Sequence, residues 1–349
     1  MSLETTFFFQ DHSHDFIQFL NQKKYSKIFL LADSHTNGFC LPLLKQLIPE
    51  FCYSCLIVIP AGEAHKNIDV CQLIWNALLL QKADKHSVLV NVGGGMVSDI
   101  GAFAASTYKR GIDFVNIPTT LLAMVDASFG GKNGIDFDDT KNAIGSFANP
   151  SAVYFNTHFL KTLPNSVLRS GIAEILKHSL LDSIGALDET LDLDINDFFS
   201  STVIQKSIAF KSAIVQIDPH DEGIRQSLNL GHSIGHALES FMLYAPKPLL
   251  HGEAVLLGLI YELMISHLIF QLPIEIVQKV IAFKDRIFAD LKCPFDYIDI
   301  EKFIGNDKKN RGEIRMSLLE APGTGRWQVP VSVQQLKTAI TETKQFLAK

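Results

Sequence analysis

The stretch Val88-Leu89-Val90-Asn91-Val92-Gly93-Gly94-Gly95-Met96 decides the fold. Its first five residues, mostly β-branched and apolar, read as a buried strand, and the glycines read as a sharp turn. The stretch 97–108, with apolar residues at helical spacing, reads as the helix that follows. Glycines at a strand end let the backbone come close to a ligand, and free N–H groups at a helix start attract phosphate. The turn is therefore a candidate pyrophosphate seat. It is not GxGxxG, so a tight turn with no ligand stands as the alternative.

Working outward, 28–32, 56–59 and 114–117 are further short β-runs, and 68–81 has helical spacing. The pattern is βαβα with buried parallel strands. After Leu163-Pro164 the β-runs nearly cease, and periods near 3.6 predict helices over 167–181, 198–217, 227–242, 252–270 and 274–291, with one late strand over 313–319. A chain of 349 residues suits two domains at about 150 residues each. The expected fold is an α/β N-terminal domain with a parallel-rich nucleotide-binding sheet, residues 1–160, plus a mainly α-helical C-terminal domain, residues 161–349.

Composition narrows the function classes. Hydrophobic residues at 47% and charged residues at 19% describe a globular chain rather than a disordered one. A net charge of −6 with no Lys/Arg-rich run argues against a nucleic-acid partner. No basic segment precedes Phe7-Phe8-Phe9, and the apolar stretch 254–270 is interrupted by Glu262 and His267. Neither a secretory signal nor a membrane span is expected, and the location expected is cytoplasmic. The cysteine count is five, an odd number, and the Cys52/Cys55 pair leads into a strand rather than a helix, so disulfides and redox chemistry are not expected.

Two further clusters carry chemistry. Pro118-Thr119-Thr120, Asp126, Gly130-Gly131-Lys132 and Lys141-Asn142 gather hydroxyls, carboxylate and amines after a strand, at what would be the carboxyl edge of the sheet. A long polar loop with solvated lysines is the plain alternative. In the helical half, Gly231-His232-Ser233-Ile234-Gly235-His236-Ala237 puts two imidazoles at i and i+4, and Gly231 and Gly235 are expected to keep that face open. His251 opens the next apolar helix, and Glu174 is a carboxylate inside another. One Glu and two His make a catalytic zinc set with an open coordination position. Taken singly, each His is a packing residue and Glu174 a salt-bridge partner of Lys177 or His178.

Taken together, Gly93-Gly94-Gly95-Met96-Val97-Ser98-Asp99, Lys109-Arg110-Gly111, Pro118-Thr119-Thr120-Leu121-Leu122-Ala123-Met124-Val125-Asp126 and Leu228-Asn229-Leu230-Gly231-His232-Ser233-Ile234-Gly235-His236-Ala237 closely resemble the 3-dehydroquinate synthase family of sugar phosphate cyclases, from about residue 33 to residue 323. The resemblance implies a lyase of the shikimate pathway of aromatic amino acid biosynthesis. Its reaction converts 3-deoxy-D-arabino-heptulosonate 7-phosphate into 3-dehydroquinate and phosphate by transient oxidation with NAD, phosphate elimination, re-reduction and aldol closure. It implies NAD at Asp33, Glu63, Lys66, Gly94, Gly95, Asp99, Thr119, Thr120, Lys132 and Lys141. It implies zinc, with Co2+ as the alternative, on Glu174, His232 and His251, and a homodimer.

Substrate contacts and proton transfer are implied for Arg110, Asp126, Lys132, Asn142, Lys177, Lys211, Arg225, Asn229, His236 and the Lys308-Lys309 pair, Lys309 above all. A doubly anionic substrate needs this number of cations, and here they recur among apolar neighbours. The chain departs from the family pattern at Ser98, Asn133 and His35, where glycine, threonine and asparagine are common; these bear on cofactor affinity. The rivals are a cyclase acting on another sugar phosphate and a metal-dependent polyol dehydrogenase, which shares an HxxxH helix but releases NADH.

Overall fold

The computed structural model describes residues 5–138, 140–243, 245–292, 295–304 and 314–347. They form two compact units, Met1–Pro164 and Asn165–Lys349.

In the first unit the elements run β1 (Thr6–Phe9), α1 (Ser13–Lys23), β2 (Ile28–Asp33), α2 (Ser34–Leu47), β3 (Cys55–Ile59), α3 (Ile68–Leu80), β4 (Val88–Gly93), α4 (Gly95–Thr107), β5 (Asp113–Pro118), β6 (Lys132–Phe137), β7 (Thr140–Phe147) and β8 (Ala152–Phe155). Six strands form one parallel sheet in the order β1-β8-β5-β4-β2-β3. From β2 the chain crosses to β3 on one side and then returns to β4 on the other, so strand order reverses between β2 and β4. Ligands of open α/β sheets collect at the carboxyl ends beside such a reversal, which here means Asp33 and Gly93-Gly94-Gly95.

Every residue of β4 is buried, and α4 covers it with Val97, Ile100, Phe103 and Ala104. Burial of Val97, Ile100 and Phe103 adds roughly 1.5–3 kcal/mol each. The polar Asn91 sits inside this strand because it is paired: its amide donates to Asn116 Oδ1 at 2.8 Å, and Asn116 donates to the Ser128 carbonyl at 2.7 Å. A Cβ on Gly101 would come within 2.1 Å of Asn91 Oδ1. Glycine there lets α4 lie flat on the sheet, which delivers its N-terminus to the carboxyl edge.

Two features of this unit differ from the sequence reading. Phe7, Phe8 and Phe9 belong to β1, which pairs in parallel with β8, and ring contacts Phe7–Phe129 at 5.4 Å and Phe9–Phe155 at 5.3 Å seat it. The polar stretch after Gly131 is an antiparallel hairpin, β6 with β7, instead of a loop. Asn133 pins its base by donating to the Gly131 carbonyl at 3.0 Å and the Ala148 carbonyl at 2.8 Å.

The second unit runs α5 (Asn165–Asp182), α6 (Ile184–Asp192), α7 (Ser201–Ile217), α8 (His232–Phe241), α9 (His251–Phe270), α10 (Ile274–Ile287), α11 (Tyr297–Ile304), β9 (Arg315–Ala321), β10 (Thr324–Pro330) and α12 (Val333–Leu347). The late strand exists, and it pairs with β10, an antiparallel partner that its charged and glycine-containing sequence hides. The helix expected over 227–242 starts only at His232, because Gly231 takes φ +83 and Ile224–Asn229 winds as a 3-10 turn. The glycines of this segment do not leave a face open. A Cβ on Gly235 would lie 3.0 Å from the Ala254 carbonyl, and one on Gly258 would lie 1.9 Å from the Gly231 carbonyl, so they let α8 and α9 press backbone to backbone.

Helix α9 is buried on all sides from Gly252 through Ser266. With 20 residues and a mean hydropathy of 1.7 in an 18-residue window it is long and apolar enough to cross a membrane, contrary to the shorter stretch expected, but 78% of that window is buried within the protein as a core helix.

Candidate active site

The first unit presents a nucleotide seat. Helix α4 begins at Gly95 with Gly94 as N-cap, no side chain caps it, and no acidic residue stands in its first turn. Its opening N–H groups thus retain the pull on an anion that a capping carboxylate would cancel. A Cβ on Gly94 would meet Thr120 Cγ2 at 3.1 Å and one on Gly95 would meet Ala127 Cβ at 3.3 Å, so side chains here would fill the cradle. Thr119 continues the edge, its N–H donating to the Gly93 carbonyl at 2.9 Å, and Thr120 Oγ1 accepts from Ala123 N at 3.1 Å. Asp33, at the end of β2, is largely occupied in capping α2, where its Oδ1 accepts from Thr36 N at 2.7 Å.

Beside the turn lies a buried charged knot. Lys66 Nζ donates to Asp99 Oδ2 at 2.5 Å and to Asn142 Oδ1 at 2.7 Å, with Glu63 Oε1 at 3.7 Å. Burial alone would lower the lysine pKa, but Asp99 and Glu63 outweigh it and hold the ammonium above its ordinary value. Burial pushes Asp99 up to about 6 against the opposing pull of Lys66, so the pair is ionised at neutral pH. Asn142 adopts φ +49, and its N–H donates to Asp136 Oδ1 at 2.7 Å, which aims its side chain at the knot. Arg110 is exposed in a turn where Lys109 (φ +50), Arg110 (φ +67) and Gly111 (φ +109) are all left-handed, a costly backbone for the first two. Lys132 and Lys141 are exposed on the hairpin, and Asp126 sits half-buried in a π-helical turn. His35 is exposed on α2, and Ser98 is buried in α4.

The second unit brings Glu174, His232 and His251 together, their ligand atoms all within 4.8 Å of one another. His232 Nε2 is 3.6 Å and His251 Nε2 is 3.9 Å from Glu174 Oε1. An ion with bonds of about 2 Å to N and O fits between atoms so spaced. Glu174 is 0% exposed; the Lys177 ammonium, one turn on, is the ion-pair partner of Oε2, while Oε1 has no hydrogen-bond donor among the described residues. A carboxylate so buried asks for more positive charge than one lysine. Each imidazole is turned the right way: His232 Nδ1 meets the Leu230 carbonyl at 3.2 Å, and His251 Nδ1 faces Glu239 Oε2 at 3.6 Å, leaving both Nε2 atoms toward Glu174. Burial first, then the charge of Lys177, drives the His232 pKa well down, which keeps its ring neutral and a ligand. The residues present suit a divalent metal.

On the same unit, Lys177, Lys211 and Arg225 are buried at 1%, 6% and 4% exposure, far from the solvated habit of lysine and arginine. Arg225 is fixed by Nη1 donating to the Pro219 carbonyl at 2.8 Å. Asn229 ends the 3-10 turn before Gly231, and His236 is exposed one turn after His232, ring centroids 5.2 Å apart. Lys308 and Lys309 lie outside the described residues. Sequence reasoning missed Glu239, Asp136 and Glu262. Of these only Glu262 left a signal, a lone carboxylate in an apolar helix that was read as nothing more than an interruption.

A parallel sheet with a glycine-turned helix start, followed by a helical unit with a Glu/His/His set and buried cations, is a two-unit plan that solved structures share in fold. Solved structures of that fold superpose at 21% identity: 2-deoxy-scyllo-inosose synthase complexed with carbaglucose-6-phosphate, NAD+ and Co2+ at TM-score 0.81, covering 96% of both chains. A second is 2-epi-5-epi-valiolone synthase from Streptomyces hygroscopicus with NAD+ and Zn2+ bound, at TM-score 0.83, covering 99% of this chain and 98% of that one. The family descriptions 3-dehydroquinate synthase N-terminal and 3-dehydroquinate synthase C-terminal match residues 56–170 and 171–310. A 3-dehydroquinate synthase of Parabacteroides distasonis is 38% identical over 342 residues, 96% of each chain. The chain belongs to the 3-dehydroquinate synthase family, whose members are phosphate-eliminating enzymes.

Proposed function

We propose that this chain converts 3-deoxy-D-arabino-heptulosonate 7-phosphate into 3-dehydroquinate and phosphate, and that the roles inferred from the sequence fall on the residues described above. The observation that carries the reading is the buried Glu174 carboxylate facing two Nε2 atoms, with Lys177, Lys211 and Arg225 buried on the same unit. A divalent metal held by Glu174, His232 and His251 supplies Lewis acidity toward substrate hydroxyls, and NAD supplies a hydride acceptor that is restored within each turnover.

The chain's own residues do the rest. Lys177, Lys211, Arg225 and Asn229 bind and orient the substrate's anionic groups, the burial of the three cations fixing the pose. His236, exposed beside His232, takes and returns a hydroxyl proton at its imidazole. Gly94, Gly95, Thr119 and Thr120 seat the dinucleotide phosphates, while Asp33, Glu63, Lys66, Asp99, Lys132 and Lys141 hold its remaining polar groups. Arg110, Asp126, Asn142 and Lys309 complete the substrate contacts. The enzyme works in the cytoplasm as a homodimer, for which sedimentation velocity is the check.

The deciding experiment supplies the heptulosonate phosphate with catalytic NAD and zinc and follows phosphate and NADH together. Phosphate release without net NADH is expected. NADH accumulating in proportion to substrate, with no phosphate, would identify a polyol dehydrogenase instead.

A further inference from the structure

Glu262 has no place in the chemistry just described, yet it is 0% exposed in the middle of α9. Among the described residues its carboxyl group pairs with no cation. Oε2 accepts from Gly231 N at 2.5 Å and Oε1 accepts from Ile234 N at 2.9 Å, and the Ser233 N–H also points to it. These are the opening N–H groups of α8, a helix whose own N-cap, Gly231, has no side chain to satisfy them. Glu262 is a cap supplied from a neighbouring helix, its oxygens satisfying the N–H groups that Gly231 cannot.

What is capped matters. His232 is the first residue of α8, and its ring is held by the Leu230 carbonyl at 3.2 Å, so it hangs from the peptide units that Glu262 grips. His251 is the first residue of α9, the helix that carries Glu262 itself. The two helices meet through Gly231, Gly235 and Gly258, backbone on backbone. A glycine contact permits close approach but offers few side-chain knobs to resist sliding along the axis. Gly231 lies against Gly258 and Leu259 while Gly235 lies against Ala254, so the helices run antiparallel, and a slide of either would change the separation of His232 from His251.

We infer that Glu262 is a positioning residue for the metal centre: by clamping the first turn of α8 to α9 it sets the spacing of the ligands His232 and His251. This rests on the proposed metal role of Glu174, His232 and His251, and the test separates the two. Apo protein is titrated with Co2+ against a chromophoric chelator, and the visible d–d bands of the bound ion are recorded. Glu262→Gln puts an amide donor against backbone donors, and should weaken Co2+ binding by about ten- to a hundredfold and alter the band shape, with secondary structure retained.

Ser266→Ala, one turn along the same helix, removes a hydroxyl that accepts from Leu319 N at 3.0 Å; it should lower thermal stability without changing Co2+ affinity. If Glu262→Gln lowers the melting temperature but binds Co2+ as the wild type does, Glu262 is a stability residue only and the inference is overturned. If the wild type binds no Co2+, the metal assignment itself falls, and the inference with it. Should Glu262→Gln fail to fold, Glu262→Asp, with the same carboxyl group on a shorter arm, undergoes the same titration: weaker binding is expected, and unchanged affinity would again overturn the role.

Discussion

Single side chains here owe their properties to what surrounds them. Removing the His251 imidazole takes away one of the three ligand atoms, leaving only Glu174 and His232 to hold the ion. His251→Ala should therefore cut zinc affinity by more than about a hundredfold and abolish turnover, while urea unfolding stays cooperative; an active variant with zinc bound would show that the ligand is another residue. In the nucleotide seat, Lys66→Met would leave Asp99 without its counter-charge in a site where the lysine side chain is only 5% exposed. A loss of roughly 3 kcal/mol is expected from urea unfolding. Adding Asp99→Asn should recover part of it, whereas strictly additive losses would mean that the ion pair is not coupled.

At the scale of helices and strands, glycine governs how closely things approach. Gly258→Ala would drive a Cβ to 1.9 Å from the Gly231 carbonyl, a backbone atom that cannot rotate away. Roughly 1–3 kcal/mol of destabilisation is expected by urea denaturation, together with weaker metal binding as α8 is pushed off α9. A neutral result would show that the helices can separate freely. This scale also separates what the sequence makes legible from what it does not. β4, the glycine turn and α4 are readable because period 2 gives way to period 3.6 across three glycines. The Glu174, His232 and His251 set is readable because imidazoles and a carboxylate stand out in apolar helices. By contrast, β1 is four residues whose partner lies far along the chain, and β6 and β7 carry the polar residues of a loop, so no local period marks them. Gly231 reads equally as a helical residue or as a left-handed break, and only its close approach to α9 decides. The cap made by Glu262 is tertiary, and no local pattern announces it.

For the molecule as a whole, acidity sets a window of stability. Burial pushes Glu262 up to about 8 from an ordinary 4.5, against the opposing pull of the backbone N–H groups. A carboxyl whose pKa is higher folded than unfolded binds its proton more tightly in the folded state; its contribution is complete below about 4.5 and is lost as pH rises through 8. The unfolding free energy of the apo protein should fall between those limits, and Glu262→Gln should flatten that slope. An unchanged slope in the variant would place the titration elsewhere.

The parallel pairing of β1 with β8 bears on how the chain is made. Thr6 meets Ala152, so β1 leaves the ribosome well ahead of its partner, which follows 146 residues behind it. At about 5–20 residues per second that interval lasts roughly 7–30 s. Throughout it Phe7, Phe8 and Phe9 have no strand to join, a sticky aromatic end available to chaperones during synthesis. Stalled nascent chains ending before β8 should bind a hydrophobic-peptide chaperone, and chains with β8 clear of the exit tunnel should release it; equal binding at both lengths would show that β1 finds cover without its strand.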